Sequence, residues 1–313
     1  MEDAAPPAPP RPAVALVGAG AVGRALGLRL AAAGHAVAGV VSRTRASASA
    51  LADVLGAPVA SDRLADLPAA PLVALCVPDG EIAGVARALA GLDRAWGGAV
   101  VLHTSGATPA SALGPLAAEG ARTLSFHPLQ TVSGGAGAAV FDGVTVGVEG
   151  GAEGVAAGAA LAEALGMRPL VVPTAAKPLY HLAAATASNL VAALLAVAQE
   201  VLASIDVGRD DAAAMLAPLV RGTVENVLAS SPEASLTGPV ARGDLETLEA
   251  HGRALRTRLP HLVPAYAALS VEAVRLAVRA GRLPAERAEA VLALLEQMAA
   301  PPRPDGAVPD GGP

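Results

Sequence analysis

The sequence predicts an α/β protein: a doubly wound parallel sheet followed by an all-α C-terminal domain. Three observations carry this. From Ala13 to about Val172, short apolar runs alternate with Ala-rich amphipathic stretches. A glycine-rich turn joins the first run to the first of those stretches. After about Pro173 no strand-like run bounded by turns remains. Strand, helix and strand in repetition call for parallel strands joined by crossover helices.

Taken in order, AVALVG (13–18), AVAGVV (36–41), PLVALCV (71–77), GAVVLHT (98–104), ARTLSF (121–126), VTVGVE (144–149) and RPLVV (168–172) read as strands. The early ones lack strict alternation, as strands covered on both faces should. Helices are expected between them over 21–33, 46–55, 80–90, 108–118 and 152–165. Five more follow, over 175–205, 209–230, 243–258, 261–281 and 284–299. The chain thus divides into a tail (1–12), a sheet domain (13–172), a helical domain (173–300) and a second tail (301–313). Both tails are rich in Pro or Gly and are expected to be disordered.

Composition narrows the function classes. A chain of 313 residues suits two ordinary domains. Hydrophobic residues make up 53% but aromatics only 2%, so the cores must be built from Ala, Leu and Val. A net charge of −6 without a basic cluster argues against nucleic-acid binding, which needs local positive potential. The only cysteine, Cys76, rules out an intrachain disulfide and a Cys-based zinc site; no metal is expected, and Cys76 reads as a small buried strand residue. The N-terminus lacks the basic region and apolar core of a signal peptide. The stretch LAAATASNLVAALLAVA from Leu182 is the most membrane-like, yet it carries Thr186, Ser188 and Asn189. It reads as a buried helix rather than a bilayer span of about 20 apolar residues. The expectation is a cytoplasmic protein without a membrane partner.

VALVGAGAVGRALG supplies Gly18, Gly20 and Gly23 as G-x-G-x-x-G after a strand and opening a helix. The first glycine permits the tight turn, the second lets backbone N–H groups approach a pyrophosphate, and the third brings helix against strand. Ala19, Ala21 and Val22 belong to the same turn, whose helix N-terminus faces the anion. Roughly 20 residues on, where an acid would read the ribose hydroxyls of NAD, the chain has Ser42, Arg43, Thr44 and Arg45. Hydroxyls and a guanidinium suit a 2′-phosphate, so the expected cofactor is NADP(H), held also by Ser42, Arg43 and Thr44. A solvated turn with two surface arginines is the alternative. The missing acid also counts against a methyltransferase.

Three later segments reach the C-terminal edge of the sheet, where ligands bind in such folds. VPDGE contributes Val77, Pro78 and Asp79, assigned to the cofactor. HTSGAT offers Ser105 and Gly106 just after His103 and Thr104. In SFHPLQT, Pro128 fixes the chain after His127, whose imidazole can exchange a proton with a carbonyl oxygen or remain a structural hydrogen bonder. His35 is assigned a structural role. KPLYHLAAATASN (177–189) contains Lys177, the only lysine in the chain, with Tyr180, His181, Ser188 and Asn189. Residues 177, 181, 184 and 188 share one stripe of a helix. Lys177 there is either a point-charge donor to a carboxylate or oxyanion, or a solvated cap. In LTGPVARGDLETLEAH, Asp244 is placed to cap the helix that follows.

GAGAVG, VSRTR, CVPD, HTSG, SFHPLQT, KPLYHLAAATASN and LTGPVARGD, in this order over about residues 13–298, resemble a bacterial family. Its members join a Rossmann-like NADP-oxidoreductase domain to a C-terminal domain of unknown function. The wider group includes 6-phosphogluconate dehydrogenase, pyrroline-5-carboxylate reductase, ketopantoate reductase and prephenate dehydrogenase. The resemblance implies a helical second domain that builds a homodimer, a substrate-binding Ser105-Gly106, a catalytic His127 and an interdomain Lys177. In the hydroxyacid group an asparagine follows that lysine by one helical turn; here Asn189 is twelve residues away.

The combined expectation is an NADP(H)-dependent oxidoreductase acting on a small carbonyl, hydroxy acid or imine between the two domains, a ketopantoate-like 2-keto acid being one candidate. His127, Lys177 and Ser105 would be catalytic, and His181, Asn189, Gly106 and Ser188 would line a carboxylate-bearing substrate. The alternative is a non-catalytic NADP-binding regulatory protein.

Overall fold

The computed structural model of the chain describes residues 11–300. Apart from Arg11 and Pro12, the two expected tails lie outside the described residues.

The chain opens with β1 (Val14–Val17), α1 (Ala21–Ala32), β2 (Val37–Val41), α2 (Arg45–Leu55) and the two-residue strand β3 (Ala60–Ser61). It continues through β4 (Leu72–Leu75), α3 (Asp79–Ala90), β5 (Val100–His103), α4 (Gly114–Ala118), β6 (Arg122–Pro128), β7 (Thr145–Gly150), α5 (Ala152–Ala164) and β8 (Arg168–Val171). The eight strands form one sheet in the order β3-β2-β1-β4-β5-β6-β7-β8. Because successive strand residues point to opposite faces, Val14 and Leu16 join a core with α1, α2 and α5. Ala15 and Val17 join a second core with α3 and α4 on the other face. All of β1 is buried, which is why its sequence shows no alternation.

Three sequence expectations need correction. The sheet is not wholly parallel: β7 runs antiparallel to β6, with Ser125 opposite Glu149 and His127 opposite Gly147. A parallel return needs a crossover, usually a helix, and the 129–144 connection holds only one 3₁₀ turn, Ala138–Phe141. The helix expected over 108–118 is a 3₁₀ turn, Ala110–Leu113, followed by the five-residue α4, with Pro109, Gly114 and Pro115 interrupting a longer helix. Finally, β3 was too short to stand out as an apolar run.

The helical part comprises α6 (Lys177–Ala187), α7 (Asn189–Ala203), α8 (Arg209–Ala229), the single turns α9 (Pro232–Ser235) and α10 (Pro239–Arg242), α11 (Leu245–Arg258), α12 (Val263–Arg279) and α13 (Ala285–Ala299). The described residues form two compact units, one reaching Leu190 and the other starting at Val191. Strands give way to helices near Pro173 as expected, but α6 belongs to the sheet unit. The second unit has its own core of Val240, Leu248, Leu255, Val274, Val291, Leu295 and Met298, drawn from α10 to α13. Asp244 caps α11 as expected: its Oδ1 accepts the Thr247 backbone N–H at 3.1 Å.

The 175–205 stretch is not one buried helix. It breaks at Ser188 (φ −122°, ψ −72°), and within Thr174–Ala203 the most apolar 18-residue window has a mean hydropathy of 1.7 and none of it is buried within the chain. That segment and Pro260–Arg279 are long and apolar enough to cross a membrane by length and composition. On α6 the polar stripe turns inward and the leucines outward: Lys177 is 2% exposed, Leu179 70% and Leu182 58%.

Candidate functional site

The glycine turn folds as its spacing demands. Gly18 has φ +104°, and a Cβ there would lie 2.2 Å from the Cys76 carbonyl oxygen. A Cβ at Gly23 would lie 2.1 Å from the Gly18 carbonyl oxygen, so Gly23 lets α1 pack against the turn. At Gly20 a Cβ would touch nothing, which leaves the backbone open to a ligand. Gly20 is also the N-cap of α1 and offers no side-chain cap, so the first N–H groups of the helix stay free for an anion.

Gly18 and Gly20 line a cavity of about 590 Å³. Its walls include Gly18, Ala19, Gly20, Ala21 and Val22 from the turn, Ser42 and Arg43 after β2, and Val77, Pro78 and Asp79 at the start of α3. Gly23 and Thr44 are the assigned cofactor residues outside the lining. Gly23 lies behind the turn, and Thr44 caps α2 by accepting the Ser47 N–H at 3.2 Å. The exposed Arg43 has no protein partner among the described residues. Sequence reading missed Asp62, Leu64, Glu81 and Val85 in this wall. Asp62 follows the short β3, so its placement was hidden with that strand. Cys76 borders the cavity, but burial pushes its thiol up to about 12, so it stays protonated and inert, consistent with a packing role.

The inner end of the cavity reaches Thr104 and Ser105. His103 is wholly buried and staples this loop. Its Nδ1 accepts the Ser105 N–H at 3.2 Å and its Nε2–H donates to the Pro109 carbonyl at 3.3 Å. Burial pushes its pKa down to about 4, so it is a neutral structural ring. The Ser105 hydroxyl oxygen accepts the N–H groups of Ala107 (3.2 Å) and Thr108 (2.9 Å), leaving its proton free to donate.

The rest of the cluster is built on the β6–β7 ladder and covered by α6. Ser125 and His127 sit two apart on β6 and share one face, opposite Leu124 and Phe126, which enter the core. The buried Lys177 ammonium donates to Ser125 Oγ at 2.6 Å and to the Ser105 carbonyl at 3.2 Å. Ser125 Oγ–H donates to the same carbonyl at 2.9 Å. Across the ladder, the buried Glu149 carboxylate accepts the Ala110 N–H at 2.7 Å and the Thr174 hydroxyl at 2.8 Å, which anchors the segment leading into α6. One turn along α6, the Tyr180 hydroxyl lies 3.0 Å from His127 Nδ1. The other side of the His127 ring faces Gly106: a Cβ there would lie 2.8 Å from Nε2 and 2.7 Å from Cδ2 of His181. The His127 and His181 ring centroids are 6.2 Å apart.

Ser105, Gly106, His127, Lys177 and His181 are therefore brought together, all in the first unit. Ser188 lies just past the end of α6, its hydroxyl 2.8 Å from that of Thr131. Asn189 is not brought into this cluster's hydrogen bonding: it is exposed at the start of α7. The sequence reading also missed Ser125 and Glu149. Ser125 carried a signal, as a polar residue two positions before His127 in an apolar strand. Glu149 did not, because its position opposite Ser125 depends on the antiparallel pairing.

Burial, then the Lys177 and His181 charges, push His127 down to about 4, so its ring is neutral across the physiological range. Burial lowers Lys177, and the Glu149 and Asp79 carboxylates oppose that shift. Burial raises Tyr180, with a backbone hydrogen bond from Gly147 acting the other way. A neutral imidazole thus packs against Gly106, one residue beyond the end of the cavity lining at Ser105. Such a ring can donate a proton to, or accept one from, a small molecule that reaches its ring nitrogen.

Residues 2–128 match the family model of a Rossmann-like domain, and residues 144–273 match that of a domain of unknown function, DUF2520. Among solved structures, a protein from Bacteroides fragilis assigned as an NADP oxidoreductase is similar at 26% identity and a TM-score of 0.69, over 84% of this chain and 98% of that one. A protein from Thermotoga maritima is similar at 27% identity and 0.65, over 88% and 98%. A reductive aminase from Aspergillus terreus, solved in complex with NADPH and ethyl levulinate, shares the fold at 21% identity and 0.61, over 91% and 99%. No curated protein matches the chain.

Proposed function

We propose, for a chain that joins a Rossmann-like domain to a domain of the DUF2520 family, the role of an NADP(H)-dependent oxidoreductase. Its substrate is a small carbonyl, hydroxy acid or imine, a 2-keto acid of the ketopantoate type being one candidate. The single observation that supports this best is the cavity with two chemically distinct ends. At one end lie an uncapped helix N-terminus and the unpaired Arg43; at the other lies Ser105, and its neighbour Gly106 packs against the His127 ring.

The donor set fits the cofactor. The α1 N–H groups suit the pyrophosphate, Ser42 and Arg43 suit a 2′-phosphate, and the side chain missing at Gly20 gives room for both approaches. Bound there, NADPH would supply hydride to a substrate carbon. Ser105 Oγ–H orients the substrate oxygen, and His127 Nε2 exchanges the proton that balances the hydride. His181 and Gly106 bound the substrate. Lys177, with two N–H groups committed to Ser125 and the Ser105 carbonyl, holds the Ser105 loop from beneath and adds positive potential near a developing oxyanion.

The test is NADPH oxidation with a panel of 2-keto acids, other carbonyls and cyclic imines. Turnover above background that His127→Asn removes supports the reading. NADPH binding without turnover of any panel member favours the regulatory alternative. The reading carries with it a cytoplasmic protein whose outward leucines on α6 and α7 are covered by a second copy, as a homodimer.

A further inference from the structure

The His127 ring is held on its Nδ1 side by a single side chain, Tyr180, and nothing in the reading above uses that contact. The hydroxyl lies 3.0 Å from Nδ1 and 3.4 Å from the His127 carbonyl oxygen. The rings meet edge to face, with centroids 5.6 Å apart and planes at 86°. The position is built for this contact: a Cβ on Gly147, across the ladder, would lie 2.5 Å from the hydroxyl oxygen. Only glycine leaves room for the phenol there.

A phenol has one proton to donate. The shorter of its two contacts directs it at Nδ1. A neutral imidazole whose Nδ1 accepts must carry its proton on Nε2. Nε2 is the nitrogen that faces Gly106.

We infer that Tyr180 fixes His127 in its Nε2–H tautomer and is the source of the proton that His127 delivers to the substrate oxygen. This rests on the oxidoreductase reading for its substrate, but not for its geometry. A neutral imidazole acting alone would have to become imidazolate. With Tyr180 behind it, the Nε2–H bond breaks as the substrate O–H bond forms, and the Tyr180 O–H bond breaks as Nδ1–H forms. The electron pair is left on the phenolate oxygen, and the hydride comes from the reduced nicotinamide. When product leaves, a water entering the emptied site returns a proton to Nε2 and leaves as hydroxide to the bulk solvent, and the Nδ1 proton goes back to the Tyr180 phenolate. In the oxidation direction the same steps run in reverse. Tyr180 never touches substrate; it acts through His127.

The test is nitrogen NMR on the full chain labelled with ¹⁵N-histidine, with the His127 resonances identified by their loss in His127→Asn. The expected result at neutral pH is an Nε2–H tautomer whose Nδ1 resonance is that of a hydrogen-bonded acceptor. In Tyr180→Phe, which keeps the ring and its packing, that resonance should move toward a free ring nitrogen and the tautomers should mix. In turnover, Tyr180→Phe should lower kcat about 100-fold with NADPH affinity unchanged. Adding it to His127→Asn should cost little more, since the two act as one unit. A wild-type Nδ1–H tautomer, or nitrogen resonances unmoved by Tyr180→Phe, overturns the inference. Those readings need no substrate, so they stay distinct from a substrate panel without turnover, which counts against the oxidoreductase reading alone.

Discussion

Gly147 of β7 lies directly across the antiparallel ladder from His127 of β6, and the side chain it lacks is the space the Tyr180 hydroxyl fills. Gly147→Ala should therefore displace Tyr180 from His127 while leaving the cavity walls between Val17 and Ser105 untouched. The expected outcome is a loss of turnover of about tenfold or more, with NADPH affinity within about twofold of wild type. Fluorescence titration of NADPH beside steady-state kinetics separates the two. Equal losses in both would mean that the substitution disturbs the sheet as a whole.

Arg43 is exposed, lines the cavity and has no protein partner among the described residues. A charge-assisted hydrogen bond to a phosphate contributes about 1.5–3 kcal/mol, and Arg43→Asp adds repulsion. NADPH affinity should fall by about 10- to 100-fold or more, and NADH affinity by much less. Parallel titrations check this. A uniform loss would return Arg43 to the solvent.

His103 and His127 are both held near pKa 4, against an ordinary 6.5. Below about pH 6.5 the unfolded chain takes up protons that the folded rings refuse, so unfolding is favoured as pH falls from 6.5 towards 4. The difference amounts to roughly 3 kcal/mol for a fully buried ring such as His103. Denaturant midpoints across pH 4–7 should show stability falling on acidification. His103→Gln should remove one proton's share of that slope, and an unchanged slope in the variant would sink the assignment.

Leu182 of α6 and Leu194 of α7 are 58% and 46% exposed on a stretch of which this chain buries nothing in its most apolar window. Covering such leucines stabilises by about 1.5–3 kcal/mol each. Sedimentation should show a dimer for the wild type and a shift to monomer for the double variant Leu182→Arg, Leu194→Arg. A wild type that sediments as a monomer at micromolar concentration would remove this proposal.

The cavity wall was legible because its determinants are local. Gly18, Gly20 and Gly23 are constrained by one turn, and Ser42 and Arg43 by the end of one strand. The cluster around His127 was legible only as residue types. His127, Lys177 and His181 stood out, but their partners come from pairings that no local pattern encodes. Ser125 meets Glu149, and Gly147 makes room for Tyr180, only because β7 turns back against β6. The same limit explains Lys177. A helical stripe placed it on the correct face, while its burial and its bonds to Ser125 and the Ser105 carbonyl depend on how α6 lies over that ladder. Asn189 belonged to a stretch read as one continuous helix, and the break at Ser188 separates it from the others.

The two halves of the site also differ in when they become available. Every residue lining the cavity falls between Val17 and Ser105, so the ribosome has delivered the whole nucleotide wall before it makes His127. The proton-handling group is completed only with Tyr180 and His181, after the reversed strand and two further elements have emerged. The core beneath the glycine turn also draws on Phe126, Val146, Val148 and Leu161, so the wall cannot pack fully until that later segment has emerged.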